Sequence, residues 1–458
     1  MNSKKFKLAV FVRDQAYCNQ IEEYLEKSLA MLDNLEITFL AENEIFTQHK
    51  SINLSLHMKN IEINLSEKEF YDSLNKKIWK NEKVYKADPR YVGKSKSLSW
   101  EDQYKLIETC KTIYSKEKFD LIFMGGAAYL VWIVPHLVAL EMNFLPYKLF
   151  FYDYINPYFN GARVWFCTDP FWDIRTNENF DFKWDINEAK LHIKDLRKSL
   201  VEDNFNLDQN ALTQSEQYTP KKLKNIIKNI LKLIFKFDYL SKRRLEALFE
   251  SNKNKKLYTQ IDDLPQKFLL FPLNMPYDEQ LLLRAPGFEN NYKNIEYVLK
   301  NLPKDCNLVI KEHPVNPGML NNKKISKLLE QNPNLFIISP KIPLRDVLSL
   351  SNGLITINST AGLESLIVNK SVLALGMGYY KDLNSVYKID NKSISSILND
   401  MSTGQNIVNE NEVDLLLTRL LNQTHPEPNK FPDKVDKINS TMNEALYYKI
   451  KQINKITN

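Results

Sequence analysis

Apolar and polar positions alternate regularly through the second half of the chain. Between residues 267 and 376, short apolar runs rich in β-branched residues are separated by segments whose apolar residues recur at helical spacing. The pattern predicts strands at 267–273, 307–313, 334–339, 353–358 and 371–376, with helices at 291–302, 322–331, 343–350 and 360–368 between them. Alternation of this kind is typical of a parallel sheet in one Rossmann-like α/β domain.

The first half shows a looser version of the same pattern. It predicts strands at 7–12, 35–40, 119–126, 147–153 and 162–167, and helices at 19–32, 100–114 and 127–141. The run IEINL at 61–65 is a further candidate strand. A chain of 458 residues is long for one core. We therefore expect Rossmann-like domains at 1–215 and 261–425, a basic helical linker at 216–260, and a C-terminal helix at 426–458.

The linker is the most basic part of the chain. Residues 221–256 hold twelve Lys and Arg against three acidic residues. The apolar residues at helical spacing are Ile226, Ile227, Ile230, Leu231, Ile234 and Phe235, and the lysines four apart opposite them are Lys224, Lys228, Lys232 and Lys236. Such a helix suits the surface of an anionic membrane. The alternative is a linker helix that packs its apolar stripe on a domain and leaves its lysines in water.

Composition excludes several classes of protein. Hydrophobic content of 43% and charged content of 26% are ordinary for a folded protein, and a net charge of +6 is too mild to indicate nucleic-acid binding. The four cysteines are widely spaced, which argues against a zinc site or disulfide framework and favours a reducing compartment, the cytoplasm. The sequence contains neither GxGxxG nor a Walker loop, and no apolar run long enough to span a membrane.

Polar side chains follow two of the strands predicted in the second half. Lys311 and His313 share one face of their strand, and Pro314 ends it, so they predict a cationic spot suited to a nucleotide phosphate. The second of these strands, at 353–358, ends at Asn358 and leads through Ser359 and Thr360 into a helix. Ser or Thr there caps the helix whatever the function, and hydroxyls with free amides also suit an anion.

Two residues of that helix extend the prediction. Gly362 is expected to leave room for a ligand beside the backbone, and Glu364 lies on the face of Thr360, where its carboxylate would accept from ribose hydroxyls. Glu364 equally fits an acid at the positive end of the helix dipole. Because the carboxyl ends of parallel strands carry ligands, the combined pattern favours a nucleotide site.

The first half offers candidates for the acceptor side. Asp14 and Asp153 follow predicted strands, and Asp169 lies in an aromatic-rich segment suited to sugar binding. Gly125 and Gly126 would let the backbone approach a ligand, although a tight strand-to-helix turn is the favoured explanation of the pair.

The segments FPLNMPYDEQLL, LVIKEHP and GLITINSTAGLESLIVNKSVLALGMGYY resemble, in order and spacing, the bacterial capsule polysaccharide biosynthesis family, which includes Kdo transferases. The match covers residues 268–380. It implies a GT-B fold, two Rossmann-like domains facing across a cleft, with the donor nucleotide on the C-terminal domain. His313 and Pro314 would then be the HP motif at the donor phosphate, with Ser359 and Thr360 beside it and Glu364 near the ribose or base. Family members often have His where Asn274 stands.

The implied function is inverting transfer of a sugar, Kdo or a related keto-sugar acid from a CMP donor, onto a glycan or glycolipid. It implies no metal and no cofactor, only the nucleotide-sugar substrate. Asp14 or Asp153 would deprotonate the acceptor, and Asp169 is the next candidate for this role. The alternatives are a nucleotide-sugar epimerase or polyol-phosphate transferase on the same fold, or a non-catalytic glycan-binding or export scaffold at the membrane.

Overall fold

The computed structural model divides the chain into two compact units. The first comprises Met1–Tyr91, Ser97–Ala189 and Thr418–Asn458, and the second Val92–Lys96 and Lys190–Leu417. The structure describes residues 5–29, 35–92, 98–124, 129–144, 146–151, 164–167, 223–236, 239–276, 278–389, 393–404, 408–422 and 424–425, together with positions 191, 194 and 198.

The first unit is built on a seven-stranded sheet in the order β13-β6-β5-β4-β1-β2-β3. Its strands are β1 (Phe6–Val12), β2 (Leu35–Ala41), β3 (Lys50–Asn53), β4 (Leu121–Met124), β5 (Pro146–Phe151), β6 (Val164–Cys167) and β13 (Thr424–His425). The strands β1 to β5 are parallel, whereas β6 runs antiparallel to β5 and β13 antiparallel to β6. The chain order turns back between β1 and β4, at the centre of the sheet.

Six described helices belong to this half of the chain. They are α1 (Gln15–Leu29), α2 (Leu54–Lys59), α3 (Glu67–Ser73), α4 (Pro89–Val92), α5 (Trp100–Glu117) and α6 (Leu130–Glu141). Helix α6 is apolar all round and buried along most of its length, as expected for a helix inside a core. Strand β1 is likewise buried from Leu8 to Val12, because it lies in the middle of the sheet.

The second unit contains a six-stranded parallel sheet in the order β12-β11-β10-β7-β8-β9. Its strands are β7 (Phe268–Pro272), β8 (Asn307–Lys311), β9 (Leu335–Ile338), β10 (Gly353–Thr356), β11 (Ser371–Ala374) and β12 (Val386–Tyr387). The first strand of the unit, β7, lies between β8 and β10, so the chain order reverses there. This is the strand order of a Rossmann fold, and its reversal marks the position where such sheets bind ligands.

The helices of the second unit complete the alternation. They are α7 (Leu223–Lys236), α8 (Tyr239–Asn254), α9 (Glu279–Leu282), α10 (Asn291–Asn301), α11 (Asn322–Gln331), α12 (Leu344–Leu350), α13 (Ala361–Ile367), α14 (Ile394–Thr403) and α15 (Glu410–Asn422), whose last residues, from Thr418, belong to the first unit. The core forms where strand and helix side chains meet, with Leu269, Ile310 and Ile355 of the sheet fully buried against Ile295 and Ile397 of the helices. The predicted α/β architecture, with a mainly parallel sheet in each of two units, is confirmed.

The structure corrects some details of the prediction. Residues 61–65 form no strand; they lead to Ser66, whose side chain makes a capping box with Glu69 at the start of α3. The edge strands β3 and β12 were not predicted, since runs of four and two residues give little periodicity. The C-terminal helix predicted at 426–458 lies outside the described residues. Among the described helices, none has both the length and the apolar content needed to cross a membrane.

Candidate nucleotide site and its surroundings

The reversal point of the second sheet carries two buried asparagines. Asn274 follows β7 and Asn358 follows β10, and Asn274 Nδ2 donates to Asn358 Oδ1 at 3.3 Å. Both strands end at the same edge of the sheet because they are parallel, which is why residues 84 positions apart meet here. The sequence predicted Asn358 as part of the site but assigned no role to Asn274, since only the strand order brings β7 beside β10.

A third asparagine joins this pair. Asn291, the first residue of α10, donates from Nδ2 to the carbonyl oxygen of Asn274 at 3.2 Å. Asn274 and Asn291 are 5% and 7% exposed, yet their Oδ1 atoms have no hydrogen-bond partner among the described residues. A buried amide oxygen without a hydrogen-bond partner costs free energy. Two of them at a strand-order reversal supply acceptors for hydroxyl or amino groups of a ligand.

His313 lies at the end of the neighbouring strand β8. Burial, reinforced by the nearby ammonium of Lys311, lowers the pKa of His313 to about 4, so the ring is neutral at neutral pH. Its Nδ1 accepts from the backbone N–H of Val315 at 3.2 Å. An accepting Nδ1 places the single proton of the neutral ring on Nε2. The half-buried imidazole thus has a fixed orientation and presents an N–H donor through Nε2.

Lys311 has a different surrounding from the one predicted. Its side chain is 3% exposed, and its ammonium donates to the carbonyl oxygen of Pro340 at 3.0 Å, next to the end of β9. Lys311 therefore links two adjacent strand ends. Its charge acts on His313 through space by disfavouring the protonated ring. A role for Lys311 in direct phosphate binding stays a prediction.

Glu312, between these two residues, organises the loop that follows the strand. The buried carboxylate accepts from the N–H of Leu320 at 2.8 Å, from the N–H of Gly318 at 3.2 Å and from the Tyr258 hydroxyl at 3.1 Å. Burial raises its pKa, and these hydrogen bonds oppose the rise. The loop carrying His313 and Pro314 is consequently folded back onto the end of β8. Glu312 was not among the predicted site residues, because a charged residue in a strand is ordinarily exposed.

The segment after β10 is held by hydrogen bonds among its own residues. Ser359 N–H donates to Thr356 Oγ1 at 3.0 Å, Ala361 N–H donates to Ser359 Oγ at 3.2 Å, and Gly362 N–H donates to Ser359 O at 3.0 Å. Thr360 is the N-cap of α13, but its side chain makes no capping bond. The predicted free amides are therefore already occupied. The half-buried hydroxyls of Ser359 and Thr360 are what this segment offers to a ligand.

The prediction for Gly362 is wrong. A Cβ at this position would lie 2.4 Å from the ring of Tyr380, which is fully buried and donates from its hydroxyl to Ser359 O at 2.5 Å. The space beside the glycine therefore holds Tyr380 and has no room for a ligand. Burial raises the pKa values of Tyr379 and Tyr380, and the nearby charge of the half-buried Glu364 adds to the rise. A ribose contact for Glu364 stays a prediction.

In the first unit, Asp14 lies at the end of β1. It accepts from Tyr17 N–H at 2.9 Å, which caps α1, and forms an ion pair with Arg13 at 2.6 Å. Burial works against ionisation, but these hydrogen bonds and the arginine charge prevail and lower the pKa of Asp14. Arg13 in turn donates to the Tyr129 hydroxyl at 2.8 Å and stacks over its ring. A lowered pKa makes Asp14 a weaker proton acceptor than an ordinary carboxylate.

A second charged cluster lies beside it. Arg90 binds the fully buried carboxylate of Asp88 through Nε at 2.9 Å and Nη2 at 2.6 Å, and also pairs with Glu42. Asp88 accepts from the N–H of Leu130 at 2.9 Å, so it holds the start of α6. Arg90 also lies over the ring of Tyr129. These contacts fix the residues around the carboxyl ends of β1 and β2, and they were not predicted because the contacts to Glu42 and Leu130 join distant segments.

The other predicted acceptor-side residues, Gly125, Gly126, Asp153 and Asp169, lie outside the described residues. Within the part of the chain that is described, no group of three or more His, Cys, Asp and Glu side chains is arranged to hold a metal ion. The cysteines Cys18, Cys110 and Cys306 are buried free thiols.

Comparison with known proteins places this site in a family context. The profile of the family described as capsule polysaccharide biosynthesis protein matches residues 198–383, which include the whole candidate nucleotide site. The capsule polysaccharide modification protein LipB of Neisseria meningitidis is 33% identical over 122 residues, covering 25% of this chain and 29% of the relative. The capsule polysaccharide export protein KpsS of Escherichia coli is 28% identical over 143 residues, covering 30% of this chain and 36% of the relative.

The alignments thus span only about a third of the length of these curated relatives. The predicted resemblance to the capsule polysaccharide biosynthesis family is confirmed. Among solved structures, the β-Kdo 2,7-transferase KpsC of Thermosulfurimonas dismutans aligns over 91% of this chain and 99% of its own with 11% identity and a TM-score of 0.34. UDP-GlcNAc 2-epimerase of Neisseria meningitidis aligns over 97% and 100% with 11% identity and a TM-score of 0.25. Likenesses this weak assign no function.

Proposed function

We propose that this chain, whose residues 198–383 match the capsule polysaccharide biosynthesis family, is a GT-B glycosyltransferase of capsule or surface polysaccharide assembly. It transfers a sugar from a nucleotide donor bound at the carboxyl edge of the second sheet to a glycan or glycolipid. The observation that carries the proposal is the convergence of Asn274, His313 and Asn358 on adjacent strand ends, at the reversal of strand order. We assign the reaction to the cytoplasm, in keeping with the free cysteines.

The chemistry proposed for this site is inverting displacement. The acceptor hydroxyl oxygen attacks the anomeric carbon while the bond from that carbon to the phosphate oxygen breaks, and the nucleotide leaves with the bonding electrons. His313 donates from Nε2 to the departing phosphate. As negative charge develops on that oxygen, the pKa of the adjacent imidazole rises, so the hydrogen bond is stronger in the transition state than in the ground state.

The remaining groups have supporting roles in this proposal. The hydroxyls of Ser359 and Thr360 bind the phosphate, and the partnerless Oδ1 atoms of Asn274 and Asn291 accept from hydroxyl or amino groups of the donor. The base that takes the acceptor proton is assigned to the first unit, with Asp14, Asp153 and Asp169 as candidates. Resemblance to Kdo transferases leads us to propose a keto-sugar acid carried by CMP as the donor.

A thermal-shift panel of CMP, CDP, UDP and GDP tests the donor assignment, because a ligand that binds only the folded state raises the melting temperature. We expect CMP to stabilise the protein. His313→Ala should weaken that binding by roughly 10- to 100-fold, the effect of losing one hydrogen bond to a charged group. His57→Ala, at an exposed position in the first unit, is the control and should leave it unchanged. Stabilisation by UDP or GDP alone would replace CMP with that nucleotide in the donor assignment. The absence of stabilisation by any nucleotide would overturn the proposal.

A product assay separates transfer from its rivals on the same fold. An epimerase releases an altered nucleotide sugar without any acceptor, and a polyol-phosphate transferase keeps phosphorus in the product linkage. The proposed enzyme leaves the donor unchanged until a glycan is supplied and then releases free nucleotide.

A further inference from the structure

Helix α7 exposes its apolar face and buries a polar residue, the reverse of a helix that packs on a core. Its apolar residues Leu223, Ile227, Ile230 and Leu231 are 71%, 47%, 40% and 48% exposed, whereas the polar Asn229 is 6% exposed. The alternative in which the predicted apolar stripe packs on a domain is therefore wrong for Ile227, Ile230 and Leu231. Helix α11 of the same unit shows the ordinary arrangement, because it buries Ile325 and Leu328 and exposes Lys323 and Lys327.

The exposed apolar residues form one continuous stripe. They lie at positions i, i+4, i+7 and i+8, which share a face at 3.6 residues per turn. Lys224, Lys228 and Lys232 follow one edge of this stripe at spacings of four. Asn225 and Asn229 come next around the helix, on its buried side, where Asn229 Nδ2 donates to Asn225 O at 2.8 Å. Helix α7 packs against α8, and this packing leaves the stripe in solvent.

Charge is concentrated around this face. Residues 221–256 contain twelve Lys and Arg and three acidic residues, a surplus of nine positive charges. The whole chain has a net charge of only +6, so the rest of the protein is net negative by three. The positive charge is therefore a local property of α7 and its neighbour α8.

We infer that α7 is a docking surface for an anionic lipid bilayer. The stripe Leu223, Ile227, Ile230 and Leu231 inserts at the level of the headgroups, and Lys224, Lys228 and Lys232 extend their ammonium groups to lipid phosphates. An apolar face edged by a row of like charges is complementary to a surface with an apolar interior and a negative rim. This surface binding is independent of the nucleotide site proposed above.

Sedimentation of the full-length chain with vesicles tests the inference. The vesicles are phosphatidylcholine alone and phosphatidylcholine mixed with phosphatidylglycerol. We expect binding to the mixed vesicles, little binding to phosphatidylcholine alone, and release by high salt. Lys224→Gln, Lys228→Gln and Lys232→Gln together should weaken binding to the anionic vesicles by roughly 100-fold, and Leu223→Ser, Ile227→Ser and Leu231→Ser together should abolish it.

The matched control removes three lysines from α11, through Lys323→Gln, Lys324→Gln and Lys327→Gln, and should bind as the unmodified chain does. All substituted positions are exposed or half-buried, and a thermal melt of each variant verifies its fold. Equal weakening by the control, or binding without preference for anionic lipid, would overturn the inference. It would also fall if the chain self-associates without lipid and the serine variant dissociates it, because the stripe would then bind a second copy.

Discussion

At the residue scale, the candidate site depends on an imidazole that its surroundings keep neutral. His313 is close to the Lys311 ammonium and half-buried, and its Nδ1 is occupied by the N–H of Val315. Each of these features comes from a backbone that ends a strand and turns immediately. The combination converts a residue that ordinarily titrates near neutral pH into a fixed hydrogen-bond donor.

This protonation state predicts a pH dependence of stability. The folded pKa of His313 is about 4, against an ordinary value of 6.5, so between these pH values the unfolded chain binds a proton that the folded chain does not. The free energy of unfolding should therefore fall as the pH decreases through this window. Urea denaturation at about pH 7 and about pH 5 measures this fall. It should be on the order of 1–2 kcal/mol larger in the unmodified protein than in His313→Gln. Equal losses in the two proteins would contradict the lowered pKa.

At the element scale, strand β8 and the loop after it act as one unit because Glu312 ties them together. The carboxylate satisfies the N–H groups of Gly318 and Leu320 and the hydroxyl of Tyr258, which lies before β7. A loop of this length would otherwise leave buried amides unpaired. The position of His313 thus depends on a neighbour that points to the opposite side of the strand.

Replacing Glu312 with glutamine should disturb both stability and nucleotide binding. The side-chain NH₂ group of glutamine cannot accept from a backbone N–H, so at least one buried donor loses its partner, at a cost of about 1–3 kcal/mol in the free energy of unfolding. Nucleotide affinity should fall as well, although Glu312 itself is buried under the loop. Glu330→Gln, at an exposed position of α11, is the matched control and should change neither quantity. Unchanged nucleotide affinity in Glu312→Gln would show that the loop after β8 does not contribute to nucleotide binding.

At the scale of the whole molecule, the chain leaves the first unit, forms the second, and returns to the first. Strand β13 (Thr424–His425) pairs antiparallel with β6 and follows α15, the helix in which the chain passes from the second unit back to the first. Residues 424–425 therefore form an outer edge of the first sheet, whereas the candidate nucleotide site lies within the continuous stretch from β7 to β11.

This connectivity predicts a selective effect of truncation. A chain ending after Asn422 lacks β13 and retains α15, so amide hydrogen exchange should accelerate in β6, whose hydrogen bonds to β13 are lost. Exchange in β8 and β10, and stabilisation by nucleotide, should be unchanged. The control chain ends after His425 and keeps β13. Loss of nucleotide stabilisation in the shorter chain alone would show that the second unit depends on this strand.

Much of the second unit followed from the sequence. The strands β7 to β11 and the helices α10 to α13 were predicted to within a few residues, because apolar periodicity and the residues that end each element are local properties. The positions of His313, Ser359 and Thr360 at strand ends followed in the same way. The family resemblance added their proposed roles.

Tertiary structure decided what local pattern does not encode. The strand order placed Asn274 beside Asn358, the return of Tyr380 filled the space at Gly362, and packing on α8 exposed the apolar stripe of α7. Each depends on segments far apart in the chain or on which face of a helix meets its neighbour. Periodicity determines that a strand or an apolar stripe exists. Only the packed chain determines what lies against it.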